Sequence, residues 1–226
     1  MSKTCILVGD RSDIAQALLP YLVAHDWAVH GCNRDSPAVN LDARWDLFLC
    51  CIGKVAPVGR WDQMRDQEIN NCIASNLIIP LSYLRNCWEY RNTGASACFM
   101  AGSNPQRIMP GYLPYNMSKM ALLKAVEQID AESPDAKVFA LGPGYYRDSK
   151  IHAATLAANW PNERIARGDA GTPIERIWHR LQWCIAQPKE IVGGRNICVS
   201  DDWETDQYLA NRLVGNPDLF KLRRVE

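Results

Sequence analysis

Apolar residues fall in short blocks along this chain, and their spacing alternates between two kinds. Cys5–Val8, Trp27–Cys32, Ala38–Leu41, Leu47–Cys51, Ala97–Ala101, Lys137–Leu141 and Asn196–Ser200 are compact apolar runs that read as seven strands. Asp13–His25, Asp66–Tyr90, Tyr115–Glu132 and Ile174–Ala186 read as helices, with Pro80 kinking the second. Short apolar strands alternating with helices predict an α/β fold: a doubly wound parallel sheet of about seven strands in three layers, α/β/α. Only Asp42, Ala43, Arg44 and Trp45 lie between Leu41 and Asp46. A parallel crossover needs about a dozen residues, so the connection between strands three and four is shortened, with Trp45 covering part of the exposed sheet face. The segment 149–171 is the least regular and reads as a lid over a site. Residues 201–226 form a C-terminal extension in which Trp203–Val214 has helical spacing.

The 226 residues suit one domain over 1–226. Lys and Arg balance Asp and Glu at 25 each, which gives no support to a nucleic-acid or anionic-membrane partner. No apolar run is long enough for a membrane span, and the N-terminus enters a strand without a signal-peptide pattern. The nine cysteines are odd in number and sit mainly in apolar runs, so reduced buried thiols and a cytoplasmic location are expected. No Cys or His spacing suits a metal, and none is expected.

The chemistry begins at Tyr115-Asn-Met-Ser-Lys119. Four-residue spacing places the phenol and the ammonium on one helix face, where the cation favours the ionised phenol. Such a pair is also common as a Tyr packed under an aliphatic stem. The first turn, Gly9-Asp-Arg-Ser-Asp-Ile-Ala15, follows a strand and opens a helix, as a phosphate-binding turn does. Asp13 could equally be an ordinary helix N-cap.

Together these features resemble the short-chain dehydrogenase/reductase family, over Thr4 to about Ser200. The resemblance implies a single Rossmann-like NAD(P)-binding domain. Gly9 matches the first glycine of the family's Gly-x-x-x-Gly-x-Gly turn, while Asp13 and Ala15 replace the other two. It implies a catalytic set of Tyr115, Lys119, Ser103 and Asn76. Ser103 precedes Tyr115 by twelve positions, about one fewer than usual. It also implies a cofactor shell of Gly9, Arg11, Ser12, Asp13, Ile14, Asn33, Arg34, Asp42, Cys51, Ile52, Gly53, Lys119, Pro143, Gly144, Tyr146 and Asp148. Cys50-Cys51-Ile52-Gly53 stands in place of Asn-Asn-Ala-Gly, with only the glycine kept. Asp148 replaces a common Thr; Arg147 would have to offset its charge, and Ser149 could take over the hydroxyl role. Arg34 and Arg11 after strands two and one favour NADP(H), while Asp35 leaves NAD(H) open.

The implied activity is reduction of a carbonyl to an alcohol, or the reverse, on a small-molecule substrate. Tyr115 is the proton donor, Lys119 lowers its pKa, Ser103 orients the substrate oxygen, and Asn76 holds a water. Ile108, Met109, Tyr112, Tyr145, Tyr146 and the 152–160 segment are candidates for the substrate pocket. Two other readings remain. One is a nucleotide-sugar epimerase or dehydratase with bound NAD, for which the chain is short; the other is a dinucleotide-binding protein without turnover. A homodimer or homotetramer is expected, with Asp66–Tyr90 and Tyr115–Glu132 pairing between subunits. Leu122, Leu123, Val126 and Ile129 would give the second helix its apolar face, although a core face explains them equally well.

Overall fold

The computed structural model describes residues 3–36, 44–102, 107–147, 149–200 and 206–223. Along the chain these form β1 (Lys3–Val8), α1 (Asp13–Ala24), β2 (Trp27–Cys32), β3 (Trp45–Cys50), α2 (Asp66–Ile73), α3 (Ile79–Cys87) and β4 (Arg91–Met100). They continue as α4 (Leu113–Ala131), β5 (Lys137–Gly142), α5 (Lys150–Ala157), α6 (Glu163–Ala166), α7 (Ile174–Ala186), α8 (Lys189–Val192), β6 (Asn196–Cys198) and α9 (Asp206–Gly215).

Among the described residues six strands form one sheet, in the order β2-β1-β3-β4-β5-β6, and every pairing is parallel. The expected strand Ala38–Leu41 and its short crossover lie outside the described residues. Alternate residues of the central strands feed two cores. Cys5, Leu7, Leu47, Leu49, Phe139 and Leu141 pack under α1, α7 and α9. Ile6, Val8, Phe48, Cys50, Phe99 and Ala140 pack under α3 and α4. The sheet is therefore doubly wound. All nine cysteines are free and buried. No helix among the described residues is long and apolar enough to cross a membrane.

Trp45 differs from its expected role. It opens β3, is fully buried, and donates its indole N–H to the Cys87 carbonyl at 2.7 Å, so it belongs to the core beneath α3. Leu122, Leu123 and Val126 likewise face this chain's own core. The long helix expected over Asp66–Tyr90 is split. A π-helical turn, Ala74–Ile78, separates α2 from α3, and Pro80 sits in the first turn of α3. Pro80 has no N–H to give the Asn76 carbonyl, and the Ile79 N–H instead reaches back to the Ala74 carbonyl.

Strand order reverses at β1, whose neighbours are β2 on one side and β3 on the other. In open α/β sheets a ligand crevice forms beyond the strand ends at such a switch point.

Candidate active site

Gly9 leaves β1 at φ +75°, a conformation that side chains disfavour. A Cβ built there would lie 2.9 Å from Ile52 Cγ1, so the β1 turn and the segment after β3 approach closely across the switch point. Cys51 extends the ladder by donating its N–H to the Val8 carbonyl at 2.8 Å. Ser12, and not Asp13, caps α1: its Oγ accepts the Ala15 N–H at 3.4 Å. Asp13 is the first helical residue, followed by Ile14 in the same turn. The Asp13 carboxylate accepts the Lys150 backbone N–H at 2.6 Å and lies 3.7 Å from Lys150 Nζ. It thus tethers α1 to α5.

The end of β2 is occupied from two directions. Arg11 pairs with Asp35 in an exposed ion pair, and Arg34 is exposed. Asn33 donates Nδ2 to the Asp10 carboxylate at 2.9 Å. Its own carbonyl accepts the Tyr83 hydroxyl at 2.9 Å. Asp42 lies outside the described residues, as do Ser103 and Asp148.

Tyr115 and Lys119 both lie on α4, one turn apart, with Tyr115 half-buried. Lys119 is 2% exposed and donates Nζ to the carbonyl of Met100, the last residue of β4, at 2.8 Å. Burial pushes its pKa down from 10.5 to about 8, against the opposing pull of the Cys50, Cys72 and Cys51 thiols. A lysine poised this way carries its charge at neutral pH and gives it up easily.

Asn76 lies in the π turn and is fully buried. Its Nδ2 donates to the Lys54 carbonyl at 2.7 Å and the Cys72 carbonyl at 3.0 Å; its Oδ1 accepts the Lys54 N–H at 3.0 Å. The side chain clamps the backbone just after Gly53. The Asn76 main-chain carbonyl lies one turn before Pro80, which has no N–H to give it.

Pro143 and Gly144 follow β5, with Gly144 at φ +78° and any Cβ there blocked by Thr172. Thr172 Oγ1 accepts the Tyr145 N–H at 3.1 Å, and the Thr172 N–H donates to the Tyr145 carbonyl at 2.7 Å. Tyr146 packs against the core beneath α1 and α7. The Ser149 hydroxyl is committed to capping α5: it accepts the His152 N–H at 3.1 Å and donates to the Tyr146 carbonyl at 2.7 Å.

The segment 149–171 contacts the chain after β3 and the loop before α4. At its start Ile151 lies against Gly53, where a Cβ would be 3.1 Å from Ile151 Cδ1. Further on, Trp160 Nε1 donates to the Pro110 carbonyl at 2.9 Å and sits on Gly111. Asn162 Nδ2 donates to the Tyr112 hydroxyl at 3.1 Å. Tyr112 is a buried anchor, and Tyr145 hydrogen-bonds His152. Ile108, Met109 and Trp160 line a groove of about 680 Å³ with Trp61, Met117 and Met120. That groove belongs to the other face of α4: at 3.6 residues per turn, Leu113 in its wall is about 200° from Tyr115.

Asp10, Lys150, Ile151, Asn162 and Thr172 make contacts around the candidate site that no sequence reading assigned to them, whereas Trp160 falls in the 152–160 segment named above. For Asp10 a signal existed, since Gly31 in β2 is the gap its side chain fills.

The crevice residues fit a dinucleotide: a glycine at φ +75°, the start of a twelve-residue helix, and a buried lysine lie at the carboxyl ends of the internal strands β1 and β4. No family model and no curated protein matches the sequence. Solved structures match the fold. A small-chain dehydrogenase in complex with NADPH superposes with TM-score 0.74 at 14% identity, covering 93% of this chain and all of that one. A short-chain dehydrogenase/reductase of Saccharomyces cerevisiae gives 0.77 at 14% identity, over 88% of this chain and 96% of its own. The aldohexose dehydrogenase of Thermoplasma acidophilum gives 0.73 at 14% identity, over 90% and 96%. The chain has the short-chain dehydrogenase/reductase fold.

Proposed function

We propose that this protein is an oxidoreductase that binds a nicotinamide dinucleotide and interconverts a small carbonyl compound and its alcohol. The observation that carries the reading is Lys119, buried at the end of β4 with a lowered pKa and one helical turn from Tyr115.

The turn Gly9–Ile14 would hold the pyrophosphate, through backbone N–H groups at the start of α1. Cys51–Gly53, Pro143, Gly144 and Tyr146 would line the crevice, and Asn33 with Arg34 would border the adenosine. When bound, the nicotinamide supplies or accepts the hydride. Tyr115 donates its hydroxyl proton to the substrate oxygen in reduction and withdraws it in oxidation. The Lys119 ammonium stabilises the phenolate that remains, and Ser103 orients the substrate oxygen. Asn76 fixes the Lys54 backbone and holds its own carbonyl ready for a water behind Lys119. The sequence-based preference for NADP(H) rested on Arg11 and Arg34, of which Arg11 is already paired with Asp35.

A second reading, dinucleotide binding without turnover, draws on the Asp13 carboxylate at the start of α1 and on Ile151 against Gly53. Both stand where a cofactor would have to enter. We further propose a homodimer or homotetramer built on α3, the π turn before it and α4, because Ile78, Ile79, Leu113 and Met117 are exposed there.

The test is a panel of carbonyls and alcohols with each nicotinamide cofactor, followed by reduced-cofactor absorbance and paired with a direct binding titration. Turnover of any carbonyl supports the oxidoreductase. Binding without turnover across a broad panel supports the second reading, and absence of both overturns the dinucleotide assignment.

A further inference from the structure

Asp10, in the turn between β1 and α1, projects sideways onto β2. Its backbone N–H donates to the Cys32 carbonyl at 3.3 Å, which ties the turn to the end of that strand. Its carboxylate lies across Gly31, where any Cβ would collide with it. Asn33 Nδ2 donates to both carboxylate oxygens, at 2.9 and 3.3 Å. Asn33 is itself fixed, since its Oδ1 accepts the N–H groups of Asp35 at 2.9 Å and Ser36 at 3.2 Å. The carboxylate is half-buried and held in one orientation at the corner where the adenosine end of a dinucleotide must lie.

We propose that Asp10 is the cofactor-discriminating residue of this chain: it accepts the adenosine ribose hydroxyls and selects NAD(H) over NADP(H). The proposal rests on the dinucleotide reading above. A carboxylate offers about four lone-pair sites, and the Asn33 amide engages only part of them. A ribose diol supplies two donors to the remainder. A 2′-phosphate supplies none and brings about −1.5 to −2 charges beside an existing negative group. Asp35, exposed two residues beyond Asn33, adds a second carboxylate and already holds Arg11. Arg34 is the cation of this corner, among the described residues, that no such pair engages. The discriminating acid thus comes from the first turn across a glycine, not from the end of β2.

The experiment is calorimetric or tryptophan-fluorescence titration of the full chain with NAD(H) and NADP(H), in the wild type, Asp10→Asn and Gly31→Ala. Gly31→Ala forces the carboxylate from its seat without changing Asp10. NAD(H) is expected to bind at least about tenfold tighter, because like charges oppose the 2′-phosphate. Both substitutions are expected to collapse that ratio while leaving the thermal midpoint within a few degrees. Tighter NADP(H) binding by the wild type, or a ratio unmoved by both variants, overturns the proposal and leaves the oxidoreductase reading standing. Binding of neither cofactor overturns both.

Discussion

The Asp13 carboxylate accepts the Lys150 backbone N–H at 2.6 Å, so the first helix of the chain holds the first residue of α5. Further along, the segment 149–171 is fastened by the Trp160 hydrogen bond to the Pro110 carbonyl. Asp13→Ala removes one fastening, and Gly111→Ala expels Trp160 from the other by filling its seat. Each variant is expected to speed amide hydrogen exchange across 150–157 while β1, β3 and β4 keep wild-type protection. Unchanged exchange in both would show that α5 is held by other contacts.

Tyr115 is expected to be dispensable for folding and necessary for chemistry. Tyr115→Phe should keep the wild-type circular dichroism spectrum and dinucleotide affinity. Turnover should fall by about 100-fold or more, the range of a lost general acid. Near-normal carbonyl reduction by this variant would remove Tyr115 from the mechanism.

Lys119 sets function against stability. The unfolded lysine titrates near 10.5 and the folded one near 8. Between these values the unfolded chain holds the extra proton, so stability rises as pH climbs from about 8 to about 10.5, and the burial penalty is fully present below 8. Lys119→Met should flatten that pH dependence. It should also raise stability at pH 7 by about 2 kcal/mol, after allowing for the lost bond to the Met100 carbonyl. Turnover should disappear in the same variant. In the wild type without cofactor, support for the Tyr115 phenolate should weaken above about pH 8 as the ammonium is lost. Denaturation at pH 7 and pH 9.5 checks the first part, and an absorbance titration of the phenolate in the cofactor-free protein, with Tyr115→Phe as reference, checks the second.

Gly9→Ala places a side chain at φ +75° and against Ile52. The backbone alone should cost about 1–2 kcal/mol. The turn must shift to relieve Ile52, so dinucleotide affinity should fall by more than the stability loss explains. Thermal unfolding with and without cofactor separates the two effects.

The sheet was legible because its strands are buried on both faces and read as unbroken apolar runs: β1, β3 and β5 begin or end within two residues of expectation. The pair Tyr115 and Lys119 was legible because four-residue helical spacing fixes a shared face. What sequence could not show was who occupies the space between elements. Asp13 looked like a cap, yet Ser12 takes that role and frees Asp13 for Lys150. Ser149 looked available as a hydroxyl, yet α5 needs it as a cap. Asp10 reaches β2 only because Gly31, 21 positions away, leaves the gap. Each depends on a long-range juxtaposition, whereas local periodicity reports only on neighbours within a turn or two.

The π turn before Pro80 inserts one residue of slack, which rotates everything downstream by about 100° relative to a continuous helix. A hydrophobic stripe drawn along α2 therefore misses the buried side of α3. That phase slip lets Cys72 and Asn76 face the Lys54 backbone while Leu84 and Cys87 still face the sheet. Pro80→Ala would restore a donor for the Asn76 carbonyl and invite the helix to close up. Such a repair, favourable for the helix in isolation, would set the Asn76 clamp and the α3 core in competition for one register.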